Sequence, residues 1–166
     1  MVRRDDPRPL PSETSLRVIM RHLREIMSDE GDGQDKLDRI VRQISGVMVA
    51  EVCSIYLKRQ DGSLELFASE GLNPTAVHST RLKRGEGLVG RASELGVTVN
   101  EPEASSHPAF SYRPETGEEI YHSLLAVPIA RSGQVLGVLV IQNRTPREYS
   151  DEDVEVMQAT AMVIAE

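Results

Sequence analysis

The chain has 166 residues, 27% charged and 39% hydrophobic, a balance that suits one domain able to bury a core without covalent staples. A formal net charge of -7 opposes nonspecific phosphate binding, so no nucleic-acid partner is expected. Cys53 is the single cysteine, which excludes an internal disulfide and the paired-cysteine spacings of structural zinc and fits a reducing, cytoplasmic setting.

Residues 1–11 carry Pro7, Pro9 and Pro11 and are expected to form a flexible arm, with a single domain over residues 12–166. The N-terminus has no apolar signal-like run and no stretch approaches 18 apolar residues, so neither export nor a membrane span is predicted. Leu16, Ile19, Met20, Leu23 and Ile26 share one face at helical spacing. After Gly31-Asp32-Gly33 a second helical set follows, Leu37, Ile40, Val41, Ile44, Val47 and Met48.

At Val52 the period changes. VCSIYLKR and SLELFAS flank Gln60-Asp61-Gly62 and predict a hairpin, with Cys53, Ile55 and Leu57 on one face and Ser54 and Tyr56 on the other. The basic cluster Arg81-Leu82-Lys83-Arg84 reads as a solvated strand edge. GEGLVGRASELG predicts a short helix, VTVN a short strand, and HPAFSYRPETGEEIYHS a loop kept irregular by Pro108, Pro114 and Gly117. SLLAVPIAR and QVLGVLVIQNR around Ser132-Gly133 predict a second hairpin, with an edge or bulge at Pro128.

The last segment opens with a capping box, Ser150 and Asp153. Val154, Met157, Ala161 and Ile164 line one face of its helix, while Val156, Thr160 and Val163 make a second apolar face that needs a partner. No stop signal precedes Glu166, so the helix is expected to continue in a longer native chain. Helices flanking a mainly antiparallel sheet make this an α+β domain.

Gly85, Gly87 and Gly90 spell the dinucleotide fingerprint, but no buried parallel strand precedes them; a tight turn entering a helix accounts for them. Alternation places Cys53 inside the sheet, where a thiol is inert. His22, His78, His107 and His122 show no ligand spacing, and Glu118 with His122 reads as a surface pair. No catalytic residue, metal site or cofactor is predicted.

GEGLVGRASELGVTVNEPEASSHPAF, then SLLAVPIARSGQVLGVLVIQNR and a capped helix, resembles the GAF family of small-molecule sensing domains, over about Ser12 to Glu166. VAEVCSIYLKR, EGLNPTAVHSTRLKRGEGLVG and HPAFSYRPETGEEIYHSLLAVPI are similar to the N-terminal GAF domains of the nitrogen-related phosphoenolpyruvate-protein phosphotransferases of proteobacteria. The resemblance implies a central, mainly antiparallel sheet with the terminal helices on one face and a ligand pocket under a loop on the other. It also implies a sensor that binds glutamine, reports nitrogen status and controls autophosphorylation of downstream phosphotransfer domains. Branches that use cysteine for chromophore attachment or sulfoxide reduction do not fit Cys53, whereas a cyclic nucleotide shares the fold as an alternative ligand.

On this resemblance residues 107–123 are a lid. Phe110, Tyr112 and Tyr121 supply apolar walls. A free amino acid needs a cation and an anion converging in an apolar cavity, for which Arg113 is the candidate cation and Glu115 or Glu119 the anion. Ser54 and Tyr56 face the pocket, and Asn100 and Ser123 stand at strand ends where they could meet a side-chain amide. Tyr112 and Tyr121 could equally anchor the loop, and Arg113 could pair at the surface with Glu115 or Glu118. A homodimer through the terminal helices is expected, and a ligand-free dimerisation domain is the competing reading.

Overall fold

A computed structural model describes residues 13–110, 114–117 and 120–166. The candidates Tyr112, Arg113 and Glu119, and Glu118 beside them, lie outside those residues. Two helices, α1 (Glu13–Ser28) and α2 (Gly33–Met48), come first. The Asp32 carboxylate caps α2 by accepting from the Asp35 N–H at 2.7 Å. Val49 ends it in a left-handed conformation, φ 51°.

The sheet follows: β1 (Val52–Lys58), β2 (Leu64–Glu70) and β3 (Arg81–Leu82), then helix α3 (Gly87–Leu95), β4 (Val99–Glu101), β5 (Ser123–Arg131) and β6 (Gln134–Asn143), with α4 (Asp151–Ala165) last. The six strands lie in the order β3-β2-β1-β6-β5-β4 and every neighbouring pair is antiparallel. Ser132 and Gly133 both have positive φ, 53° and 77°, which is the two-residue turn that the β5–β6 hairpin requires. Pro128 sits on β5 past the last residue paired with β4, Ala126, and just before a register shift at Ile129/Ala130, so edge and bulge occur side by side. The predicted basic strand edge is the two-residue β3.

Strand alternation splits the interior into two cores. On one face Leu23, Ile40, Ile44 and Met157 from the helices meet Cys53, Ile55, Leu125, Leu139 and Ile141. On the other Tyr56, Leu66, Val138 and Val140 are covered by α3, by the segment 71–80 and by the described parts of the segment 102–122, among them Ala104, Phe110 and Tyr121.

The predicted capping box is present: Ser150 Oγ accepts from the Asp153 N–H at 3.1 Å, and Asp153 accepts from the Ser150 N–H at 3.0 Å. On α4, Met157 and Ala161 of the first face and Val156, Thr160 and Val163 of the second are buried within the one chain, while Val154 and Ile164 are half-buried. The helix lies between β5 and α1. The two elements it packs against share one core with it, to which α1 contributes buried Ile19, Leu23 and Ile26. That leaves less apolar surface for the expected dimer, with Val18 on α1 and Met162 on α4 still exposed.

Candidate ligand-binding site beneath the 102–122 segment

Tyr56 reaches the sheet face away from the terminal helices and lines a cavity with Leu82, Gly87, Leu88, Val89, Phe110 and Leu124. Each comes from a different device. Leu82 is the inward residue of a two-residue strand, Leu124 alternates against Leu125, and Gly87 turns the chain into α3 at φ 71°. A Cβ on Gly90 would stand 2.8 Å from the Gly85 carbonyl carbon, so the glycine triplet is spent on a close-packed turn without any phosphate. The cavity is small, about 20 Å³, space for a single water and far below the few hundred Å³ of a typical ligand pocket.

The covering segment is built from short turns. One 3-10 turn, Ala104–Ser106, is tied back when the Ala104 N–H donates to the His122 carbonyl at 2.6 Å. His107 Nδ1 accepts from the Ala109 N–H at 3.0 Å, and the Phe110 N–H donates to the His107 carbonyl at 3.0 Å, which aims Phe110 at the cavity. His107 also faces Glu101 at 3.7 Å. His122 pairs with Glu103 at 3.5 Å.

The far end of the segment rests on residues 71–80. The Asn73 N–H donates to the Thr116 carbonyl at 3.1 Å and Asn73 Nδ2 to the Glu115 carbonyl at 3.0 Å. Thr80 Oγ1 donates to the Glu115 carboxylate at 3.4 Å. The buried Tyr121 donates its hydroxyl to the Gly71 carbonyl at 3.4 Å and packs in the core of this face.

Not all the predicted site residues meet here. Tyr56 and Phe110 share the cavity wall, while Ser54 is on the same face with its Oγ 2.9 Å from Ser69 Oγ across the β1–β2 pair. Asn100 and Ser123 belong to the opposite, helix-bearing face, Asn100 because it pairs with Leu125 of that core and Ser123 because it stands two residues before Leu125 on β5. Asn100 clamps the Tyr149 backbone, donating to its carbonyl at 2.9 Å and accepting from its N–H at 3.3 Å. Ser123 Oγ lies 3.1 Å from the Tyr149 hydroxyl. Burial pushes that phenol up to about 12, against the Ser123 hydrogen bond and the Arg147 guanidinium, so it remains a donor.

The cavity wall residues Leu82, Leu88, Val89 and Leu124 escape a search for polar ligand groups. Their one signal in the sequence is alternation around Leu82 and Leu124. Burial first, then Glu70, pushes the Cys53 thiol far up, which keeps it inert. Among the described residues no group of three or more His, Cys, Asp or Glu side chains is placed to hold a metal, and no helix is long and apolar enough to cross a membrane. The residues that line the cavity offer mainly shape and apolar contact.

Known proteins share this arrangement. The GAF domain family pattern matches residues 32–166. The crystal structure of the GAF domain from an Acinetobacter phosphoenolpyruvate-protein phosphotransferase superposes with a TM-score of 0.83 at 37% identity, over 93% of this chain and 92% of that one. A phosphoenolpyruvate-dependent phosphotransferase system protein of Escherichia coli is 36% identical over 87% of this chain. The Nif-specific regulatory protein of Azospirillum brasilense is 29% identical over 85% of this chain and 24% of its own. This chain spans about a fifth of the length of the Escherichia coli relative, 20%. A two-faced antiparallel sheet with helices behind and a turn-built cover in front, matched over nearly the whole chain at such identity, places this chain in the GAF domain family, among the regulatory GAF domains of phosphoenolpyruvate-protein phosphotransferases.

Proposed function

We propose that this domain binds a small nitrogenous metabolite, glutamine, beneath the 102–122 segment and passes its occupancy through the terminal helices to phosphotransfer domains downstream, controlling their autophosphorylation. The observation that carries this reading is the division of the sheet. One face is closed by α1, α2 and α4, while the other is roofed by turns whose Phe110 meets Tyr56 over an apolar cavity. Turn-built covers open at lower cost than packed helices, because few apolar contacts and several surface hydrogen bonds hold them. The two relatives named for phosphotransferases and the one named for nitrogen-fixation regulation support the downstream partner and the kind of metabolite.

At about 20 Å³ the cavity holds no amino acid until the roof lifts, so binding must be coupled to movement of residues 102–122. A ligand selective for the native state raises the melting temperature with occupancy. Glutamine is expected to do so, and a compound lacking the α-carboxylate is not. Absence of a shift at about millimolar glutamine, in protein shown to be folded, would sink the amino-acid reading, and a shift with a cyclic nucleotide instead would reassign the ligand.

The small size of the cavity favours a second reading, a closed interaction domain that binds no small molecule. A homodimer belongs to both readings. With Ile19 buried, its candidate surface is reduced to exposed Val18 on α1 and Met162 on α4.

A further inference from the structure

His78 has a non-glycine positive φ, 67°, and both of its ring nitrogens are engaged. Nδ1 lies 3.0 Å from Glu65 Oε2 on β2, and Nε2 lies 2.7 Å from Gln34 Oε1 in the first turn of α2. The orientation of the Gln34 amide is fixed independently: its Nε2 donates to the Phe67 carbonyl at 2.8 Å and to Asp38 Oδ1 at 2.9 Å. An amide oxygen in that place would face two acceptors. The Gln34 oxygen must therefore point at His78. Both groups facing the imidazole are acceptors, and only the doubly protonated ring can donate to both. The Phe67 ring, 4.6 Å away and at 81°, holds the plane of the imidazole between them.

We infer that His78 is a proton-operated latch between α2 and the segment that seats the cover of the pocket. As imidazolium it clasps Gln34 and Glu65 together. On losing a proton it keeps Nδ1–H, because the Glu65 carboxylate is the stronger acceptor, and the Nε2 lone pair is left against the Gln34 oxygen. The contact to α2 is the one that breaks.

The charges around the ring are consistent with this order. Arg59 and Arg81 share Glu65, at 2.6 and 3.4 Å, and keep it ionised. Asp38 and Arg42 from α2 and Glu70 from β2 border the same open groove, about 360 Å³, so solvent reaches the ring and protons can exchange. His78 lies in the 71–80 segment, whose Asn73 and Thr80 hold Thr116 and Glu115 of the cover. The latch thereby links the pocket side of the sheet to a helix on its other side, whatever ligand the pocket takes.

Two amides report its state: Asn73, bonded to the Thr116 carbonyl, and His78, bonded to the Leu66 carbonyl. Their hydrogen exchange, corrected for the intrinsic pH dependence of amide chemistry, would be measured on this chain without ligand at about pH 5.5 and about pH 8. Protection is expected to fall by about tenfold or more at the higher pH, the scale of a lost hydrogen bond to a charged group. Gln34→Ala should show low protection at both pH values, and so should His78→Asn, in which asparagine tolerates the positive φ. Equal protection at both pH values in the parent chain, or a pH dependence that persists in Gln34→Ala, would overturn the latch. Nitrogen chemical shifts of the His78 ring decide the same point if His78→Asn does not fold: two protonated nitrogens at about pH 5.5 support it, and a neutral tautomer there overturns it.

Discussion

A single residue, Tyr149, shows how much one side chain outside the regular elements can hold. Its hydroxyl donates to Asn143 Oδ1 at 2.8 Å, its ring lies under Arg147 at 4.7 Å, and Arg147 itself donates to the Met48 carbonyl and Asp153. Tyr149→Phe keeps the packing and removes only the hydroxyl, so a loss of about 1 to 2 kcal/mol in denaturant unfolding is expected. Glu65 gives a pH dependence. The hydrogen bond from His78 first, then Arg59 and Arg81, holds its carboxyl below the usual range despite desolvation. A depressed carboxyl stabilises the fold above its unfolded-state value and loses that contribution as pH falls through the folded one. Glu65→Gln should therefore unfold at a lower denaturant midpoint than the parent near neutrality, and the gap should close as the pH is lowered below the ordinary carboxylate range. A gap that stays constant would mean that Glu65 acts by packing alone. For Arg113, replacement by alanine is expected to weaken glutamine binding by about 1.5 to 3 kcal/mol in calorimetry, the scale of a charge-assisted hydrogen bond, and equal binding would remove it from the site.

At the scale of elements, the C-terminus of α2 carries a local conflict. Val49 holds φ 51°, a conformation that costs a β-branched residue about 1 to 2 kcal/mol and that glycine adopts freely. The position is kept because its N–H closes the helix on the Gly46 carbonyl and its own carbonyl accepts from Asn143 Nδ2 at 3.0 Å. Its side chain is exposed, so no core contact explains the valine. Val49→Gly is expected to stabilise the domain by about 1 kcal/mol, read as a rise in the thermal midpoint. A fall would show that the Val49 side chain contributes a contact that outweighs its backbone strain. The bonds from Arg147 to the Met48 carbonyl, Asn143 Oδ1 and Asp153 fix α2, β6 and α4 relative to one another, which is what a signal carried by the terminal helices needs.

For the whole molecule the open question of assembly changes form. α1 spends its apolar face on α4 of its own chain, so a helix bundle between two copies would rest on Val18, 37% exposed, and Met162, 69% exposed. If such a dimer forms, sedimentation at tens of micromolar should show it, and Met162→Glu should dissolve it without loss of melting temperature. Ile19→Glu would not be a clean test, since burying that charge would damage the monomer. A monomer in the parent chain would end the proposal for this domain by itself.

Periodicity alone determined the order of elements, the antiparallel hairpins, the two faces of β1 and the cap of α4, because each is a local consequence of backbone geometry and side-chain spacing. Ser54 and Tyr56 fell on the expected face for the same reason. What only the tertiary structure decided is which long-range partner each exposed polar group takes. Asn100 and Ser123 were legible as strand-end polar residues, yet the register of β4, β5 and β6 turned both toward Tyr149, and nothing near them in the chain signals a partner so distant in sequence. The same holds for His78, whose neighbours in sequence give no hint of Gln34, 44 positions away. Hydrogen-bond satisfaction of a half-buried side chain is set by whatever the fold brings within about 3 Å, and spacing along the chain does not encode that meeting.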